Sequence, residues 1–496
     1  MKRPMFLTDR VGLLGPAQLA RGLATSASLL VLGLTACAPN LGPKPQITPA
    51  ESYATNNSFT GPLGDWPTDQ WWKAYGDPQL DGLIDEALAG SPDLRSAQAR
   101  VRLAQSQTEL AGDTRLPSIS GDASIQTSKQ SLNEGYPADF IPLLPAGYHT
   151  QTRIAATLDY QLDFFGRNRA ALAAATSAEE AARADAAEAR LQLSTAVASN
   201  YAELLRLYAD RDAAVDAVRV RGSSLDLVGQ RLRNGLDTRG TFSQQEETVP
   251  QARGDVIAID RQIAATQHQI AALLGQGPDR GAAITRPAQP KLGAFGLPAK
   301  LSVDLIGRRP DIVAARLRAE SAAKQIKVAR ADFYPNIDLS ATYGIQSLGI
   351  NTLLQYNSVI GAIGPAIHLP IFSAGRLESA YRGARATYDQ AVSSYDQTLT
   401  NALRDVADVI SNQHALDTQI VEAQAAEVAA EDAYTIAKLR YSGGLSPYLN
   451  VLTAENGVLL ARRNLADFQA QALSLNIALV RALGGGFVAD ARLAAR

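Results

Sequence analysis

Cysteine is all but absent from this 496-residue chain, Cys37 being the only one. No disulfide can close within one copy, so packing alone must hold the fold. Methionine is nearly as scarce: Met1 and Met5 are the only two, and a chain cut after residue 36 contains none. The four histidines, His149, His268, His368 and His414, are scattered without ligand spacing, so no metal site is expected. An excess of one charge is also missing. Against 47 Lys+Arg stand 49 Asp+Glu, and the net charge of −2 is spread along the chain, which argues against nucleic acid or a strongly acidic partner. Beyond the first 36 residues there is no apolar run of about 18, the length of a membrane-spanning helix. No paired carboxylates, Ser/His/Asp arrangement or phosphate loop can be found, and the Gly484–Gly486 run follows a helical pattern rather than opening one, so it reads as a terminator. Neither an enzyme nor a cofactor is expected.

What is present starts at the N-terminus. Lys2, Arg3, Arg10 and Arg21 precede an apolar core from Ala27 to Leu34, and Leu34-Thr35-Ala36-Cys37 follows. A basic start, a short apolar core and small residues before a cysteine form the leader of a bacterial lipoprotein, with 1–36 as signal peptide and Cys37 as lipidation site. The alternative is a plain secreted chain with one stray core cysteine.

The two halves of the sequence align. Ser91-Pro92-Asp93-Leu94 matches Arg309-Pro310-Asp311-Ile312, and Leu116-Pro117-Ser118-Ile119 matches Tyr334-Pro335-Asn336-Ile337, both at an offset of 218. From Gly166-Arg167 and Gly375-Arg376 onward the offset is 209, and it persists through Gly235/Gly444 to Leu274-Gly275/Leu483-Gly484. A constant offset over this length indicates an internal duplication. Each half reads as short helix, strand, loop, strand, long helix, tight turn, short helix. Segments 167–233 and 376–440 contain no proline and, as helices of about 65 residues, would each run roughly 100 Å, a coiled-coil length. The shorter segments 92–115 with 240–274, and 309–333 with 448–483, nearly match that length when stacked end to end. Acids in the long helices read as solvated faces with i,i+4 partners.

The strand segments alternate. Ile154, Ala156, Leu158, Tyr160, Leu162 and Phe164 share one face of 153–164, with Arg153, Thr157, Asp159, Gln161 and Asp163 on the other. Ile337, Leu339, Ala341, Tyr343 and Ile345 alternate likewise, as do Val359, Ile363, Ile367, Leu369 and Ile371. Strands of about ten residues with this pattern suit a membrane barrel with a wet lumen, or else a half-buried soluble sheet. Four strands cannot close a membrane barrel, whose smallest examples have about eight, so a spanning sheet requires several copies of the chain.

Trp71-Trp72-Lys73 through Asp77-Pro78-Gln79-Leu80, Asp163-Phe164-Phe165-Gly166-Arg167, Arg308-Arg309-Pro310-Asp311-Ile312, Phe333-Tyr334-Pro335, Arg440-Tyr441 with Gly444, and Ala482-Leu483-Gly484-Gly485-Gly486 together resemble the TolC-type outer-membrane factors, in their efflux-lipoprotein branch (OprM-like, NodT-like). The resemblance implies a mainly α protein with a membrane β-barrel portion. A homotrimer would form a 12-stranded barrel, four strands per protomer, continuous with a long periplasmic α-helical coiled-coil barrel. It implies an anchored N-terminal equatorial segment 37–76, a first efflux repeat 77–275, an equatorial linker 276–301, a second repeat 302–484 and a C-terminal tail 485–496. The implied function is a passive duct for small molecules, docked by a periplasmic adaptor and fed by an inner-membrane pump of the RND or MFS type. Ala38, not aspartate, follows the anchor, which fits sorting to outer-membrane lipid.

The turns 233–238 and 440–447 are the expected functional sites. Glycine there permits a tight antiparallel return, and the residues act either as helix caps alone or also, as the resemblance implies, as adaptor contacts through Gly235, Gly443, Gly444, Leu445 and Ser446. Leu449, Asn450 and Thr453 match positions that constrict the tip in this family, where acids are common; a ring of Asn and Thr would not concentrate cations as carboxylates do. Leu449 serves either closure or ordinary coiled-coil packing. Tyr441 matches a latch aromatic whose acidic partner position holds Thr241. A type I protein secretion duct and a lipid-anchored periplasmic scaffold without a pore are the rival functions. The lack of methionine speaks against a methionine-relayed Cu(I)/Ag(I) duct.

Overall fold

A computed structural model of the chain describes residues 38–131, 137, 139–143, 147–292, 296–299 and 301–489. The leader, the lipidation candidate Cys37 and residues 490–496 of the tail lie outside the described residues. Nine helices are found among them: α1 (Pro78–Gly90), α2 (Pro92–Asp113), α3 (Arg167–Arg233), α4 (Arg239–Leu273), α5 (Pro278–Ala282), α6 (Leu301–Arg308), α7 (Pro310–Ala331), α8 (Arg376–Ser442) and α9 (Tyr448–Ala482). Four strands accompany them: β1 (Ser118–Lys129), β2 (Tyr148–Leu162), β3 (Asn336–Leu348) and β4 (Val359–His368). Lengths agree pairwise between the halves: 22 residues in α2 and α7, 67 in α3 and α8, and 35 in α4 and α9. The described residues divide into two compact units, those within 38–44, 107–176 and 320–389 in one and those within 45–106, 177–319 and 390–489 in the other.

The first unit holds all four strands in one antiparallel sheet, ordered β1-β2-β3-β4. Register sets one row as Ile119, Leu158, Ala341 and Ile363, and the next on the same face as Gly121, Ala156, Tyr343 and Gly361. On the opposite face run Ser120, Thr157, Thr342 and Ala362, then Ser118, Asp159, Ser340 and Gly364. The apolar face is uncovered: Ile363 is 79% exposed and Tyr343 71%. A soluble sheet would bury that face against a second layer. β2 starts at Tyr148, five residues before the alternation became legible, and stops at Leu162. Asp163 leaves the ladder because its carboxylate caps α3, accepting from the Asn168 and Arg169 N–H groups at 3.2 and 2.9 Å. β4 stops at His368, two residues before Pro370, so Leu369 and Ile371 lie beyond the strand. Aromatic residues gather where the sheet meets the helices, Phe165 stacking on Tyr334 at 4.8 Å and Phe333 meeting Tyr381 edge-on at 6.0 Å.

The second unit is helical with two main cores. Asp77 caps α1 by accepting from Gln79 N–H at 2.9 Å, and Leu80, Leu83, Ile84 and Ala87 line its buried stripe. That stripe joins Trp72, Val197, Leu204 and Ile270 in one core, with the Tyr201 hydroxyl donating to Asp77 at 2.5 Å. The other core gathers Leu305, Ile312, Leu399, Val406 and Leu483. The N-terminal segment meets the stretch after α5 at two places: Leu63 bridges to Leu297, and Lys291 N–H donates to Tyr75 O at 3.0 Å. The short helices meet end to end. A Cβ at Gly275, just past α4, would lie 2.8 Å from Gly90 O and 3.0 Å from Pro92 Cδ at the start of α2. Likewise a Cβ at Gly484, just past α9, would collide with Arg308 O beside the start of α7. The Gly484–Gly486 run thus both ends a helix and admits a close backbone approach. The acids are less uniform than expected. Glu179–Arg183 is a partly exposed i,i+4 pair, but Asp210 and Glu455 are buried.

Candidate functional site

The two tight turns, α3 to α4 and α8 to α9, both lie in the helical unit and repeat one backbone motif. Leu236 N–H donates to Arg231 O at 2.8 Å and Gly235 N–H to Leu232 O at 3.0 Å; Leu445 and Gly444 make the same bonds to Arg440 and Tyr441 at the same lengths. Gly235 and Gly444 sit at φ 68° and 74°, left-handed values that end a helix cheaply only without a Cβ. This geometry pushes a leucine out at each apex, Leu236 63% and Leu445 74% exposed. Gly443, just past the end of α8, continues the helical bonding by one step, its N–H donating to Leu439 O at 3.1 Å. Ser446 is half-buried and its hydroxyl has no hydrogen-bond partner.

Tyr441 does have an acidic partner, and it is Asp237 rather than a residue at position 241. The Tyr441 hydroxyl donates to Asp237 Oδ2. Arg231 Nε stands 3.6 Å from the same oxygen, and the guanidinium lies 4.4 Å over the Tyr441 ring. Arg231 also bridges both turns, donating to Leu236 O and to Ser442 O at 3.3 Å each. Burial alone would raise the Asp237 carboxyl, but hydrogen bonds from Tyr441, Thr238 N–H and Thr241, with the Arg231 charge, hold it below the usual carboxylate range. Burial, then the bond to Asp237, pushes the Tyr441 phenol above its ordinary value. Thr241 also serves the cap of α4: its N–H donates to the Thr238 hydroxyl at 3.2 Å.

Beneath the turns Tyr441 meets Tyr448 edge-on at 5.3 Å, and with Val228 and Val451 they form a buried knot. The Tyr448 hydroxyl donates to Gln245, whose amide donates to Arg221 O at 3.0 Å. One helical face of α9 is therefore buried through Tyr448, Val451, Glu455 and Val458, while Leu449, Asn450 and Thr453 point out from another. The Thr453 hydroxyl is engaged with Leu449 O at 2.9 Å. The expected docking residues thus gather at the apices and the expected constriction residues one turn along α9. Arg231, Tyr448 and Glu455 lie outside the turns singled out by sequence, and Leu236 and Asp237 lie within turn 233–238 without a role of their own assigned there. An acid one position ahead of a Thr cap was the only local signal for Asp237.

Among the described residues no helix is long and apolar enough to cross a membrane, and no group of three or more His, Cys, Asp or Glu could hold a metal. A model of the family described as Outer membrane efflux protein matches residues 83–276 and again 301–485. The fusaric acid resistance protein FusA of Burkholderia cepacia is 36% identical over 374 residues, covering 73% of this chain and 69% of FusA. The multidrug resistance outer membrane protein MdtP of Escherichia coli K12 is 30% identical over 487 residues, covering 95% of this chain and 98% of MdtP. The solved structure of the outer membrane protein VceC from Vibrio cholerae, 41% identical, covers 85% of this chain and 100% of VceC, with a TM-score of 0.81. With the family matched across both halves and the antiparallel sheet and paired long helices in place, the chain belongs to the outer membrane efflux protein family: it is a TolC-type channel of the outer membrane, a duct for efflux and not an enzyme.

Proposed function

We propose that three copies of this chain close one 12-stranded barrel that continues into a periplasmic helical tunnel, and that the assembly is the exit duct of a tripartite efflux pump. The sheet carries this reading. Its four strands are long enough to cross a bilayer when tilted, with an apolar face uncovered, a hydroxyl- and charge-bearing face opposite, and β1 and β4 each paired on one side only. Open edges do not survive in lipid, so the edges of neighbouring copies must join. The paired helix lengths and the twice-matching family model support an internal duplication, with repeats 77–275 and 302–484 around an equatorial linker 276–301.

Lipidation at Cys37 after removal of 1–36 anchors the N-terminal segment 37–76, and 485–496 forms a tail. A periplasmic adaptor docks on the apices at Gly235, Gly443, Gly444, Leu445 and Ser446, joined by Leu236. Leu449, Asn450 and Thr453 constrict the tip, and Tyr441 with Asp237 and Arg231 latches it. FusA and MdtP are named for resistance to fusaric acid and to multiple drugs, so the cargo proposed here is small toxic organic molecules delivered by an RND or MFS pump. The test is the mass of the purified protein in detergent together with its conductance in planar bilayers. A trimer passing small currents that Leu449→Ala enlarges is the expected result; a monomer without conductance would refute it. Radiolabelled palmitate incorporation, abolished by Cys37→Ser, checks the anchor.

A further inference from the structure

We propose that Glu455 is a second gating residue, a positioning carboxyl on α9 that holds the closed tip while protonated and frees α9 from α3 when ionised. The inference rests on the duct reading above. Glu455 is 1% exposed, wedged between α3 and α8. Its Oε2 accepts from the Ser224 hydroxyl of α3 at 2.8 Å. Its Oε1 has no hydrogen-bond partner and faces Arg221 Nε, also without one, across 3.9 Å. Arg221 is spent elsewhere, its Nη1 donating to Thr248 O at 3.2 Å. A buried carboxylate with one bare oxygen is costly, whereas a neutral carboxyl is not.

The other groups around Glu455 do not satisfy it. From α8, Tyr434, Lys438 and Glu431 line a cleft of about 290 Å³ beside it, with Arg219 and Ser223 from α3 and Arg462 from α9. Arg462 is taken by Glu431 and Asp216 at 2.6 Å each, and Arg219 by Asp216 at 2.5 Å. Tyr448 on α9 donates to Gln245 instead. Burial therefore raises the Glu455 carboxyl above its ordinary range, against the opposing pulls of Ser224, Arg221 and Lys438. The cleft gives protons a route in, and it gives an ionised carboxylate a direction in which to reach water.

The sign follows. A carboxyl raised in the closed state and ordinary in the open one favours closure fully below about pH 4.3, and that advantage is lost as pH rises through the raised value. The latch at Asp237 has the opposite sign. Its carboxyl is held low, so its contribution is already constant above the ordinary aspartate range of about 3.9. The latch carboxylate, held low, has no part in a response that grows as pH rises, and the loss of that response in Glu455→Gln is what assigns it to Glu455.

Single-channel recording of the full-length protein in planar bilayers, with the periplasmic side taken from about pH 5 to 8, tests this. Open probability is expected to rise several-fold with pH in the natural chain. Glu455→Gln, permanently neutral and nearly isosteric, should stay at the acid level throughout. Ser224→Ala, which removes a donor favouring the ionised form, should move the midpoint to higher pH. Glu246→Gln, at the matching position of α4 but exposed, should keep the natural profile. A natural pH profile in Glu455→Gln, or a conducting natural protein without one, overturns the inference while leaving the duct intact. Should Glu455→Gln lose its trimers, an unmoved midpoint in Ser224→Ala overturns it. A protein that conducts at no pH, even as Leu449→Ala, removes the duct reading and this inference with it.

Discussion

At the α3–α4 turn and at the α8–α9 turn the backbone follows the same path, with a left-handed glycine, the same two hydrogen bonds and an outward leucine, yet equivalent side chains 209 residues apart have opposite fates. Arg231 is half-buried and reaches Asp237, Tyr441 and both turns, while Arg440 lies exposed. Leu232 is matched by Tyr441, which donates to Asp237, and Asp237 by Ser446. Glu246 is exposed where Glu455 is buried. Repetition supplies two copies of a good turn; the Tyr441–Asp237 hydrogen bond exists because the copies differ, the first half having Leu232 where the second has Tyr441 and the second having Ser446 where the first has Asp237. The asymmetry rests in about four side chains on an unchanged frame.

The sharpest way to break this comparison is to truncate the two matching arginines. Arg231→Ala leaves the Asp237 carboxylate without its counter-charge and the Tyr441 ring without its cation, a loss of about 2 kcal/mol from the closed tip. That should raise the open-to-closed ratio roughly 30-fold in bilayer recordings. Arg440→Ala should change it less than about twofold, as an exposed charge contributes little. Equal effects from both would show that the tip is closed by the backbone frame and not by the latch.

Next in size is docking. Leu236→Glu and Leu445→Glu place a charge on each apex without altering the glycine motif. If both turns present the same apolar contact, each should weaken adaptor binding by about 1–2 kcal/mol, roughly tenfold, in a titration with the purified partner. Loss at Leu445 alone would confine docking to the second turn and extend the asymmetry of the gate to the outer surface.

Most of the frame was legible because it follows from short rules. Proline-free Ala- and Leu-rich runs gave the long helices, and 376–440 was extended by only two residues, to Ser442. Alternation at Ile337 to Ile345 gave β3 within three residues at its far end. The turn glycines announced themselves by type. What could not be read was which acid faces which base. Asp237 and Tyr441 lie 204 residues apart, and only the docking of one helix pair on another brings them together. Glu455 shows no local sign of burial, since an acid amid Ala454 and Asn456 reads as a solvated face. At the position where the family resemblance implies an acid stands Thr241, and the carboxylate that meets Tyr441 lies four residues back at Asp237, while Thr241 joins the helix cap.

That cap offers the smallest and cleanest contrast. α4 opens on Thr238, whose hydroxyl accepts from Thr241 N–H, whereas α9 opens on Pro447, whose ring has no acceptor to offer and leaves Asn450 N–H to the Pro447 carbonyl at 3.2 Å. Thr238→Ala should cost the first turn of α4 about 1 kcal/mol, read as a roughly fivefold loss of hydrogen-exchange protection at the Thr241 amide. Pro447→Ala should cost α9 only about 0.5 kcal/mol, through the added freedom of the unfolded chain and not through any lost bond. The two numbers separate the ways in which the halves fix the same turn, one by an enthalpic cap and the other by a stiffened backbone. Reversal of their order would mean that the second turn is held by contacts of Pro447 with a neighbouring copy.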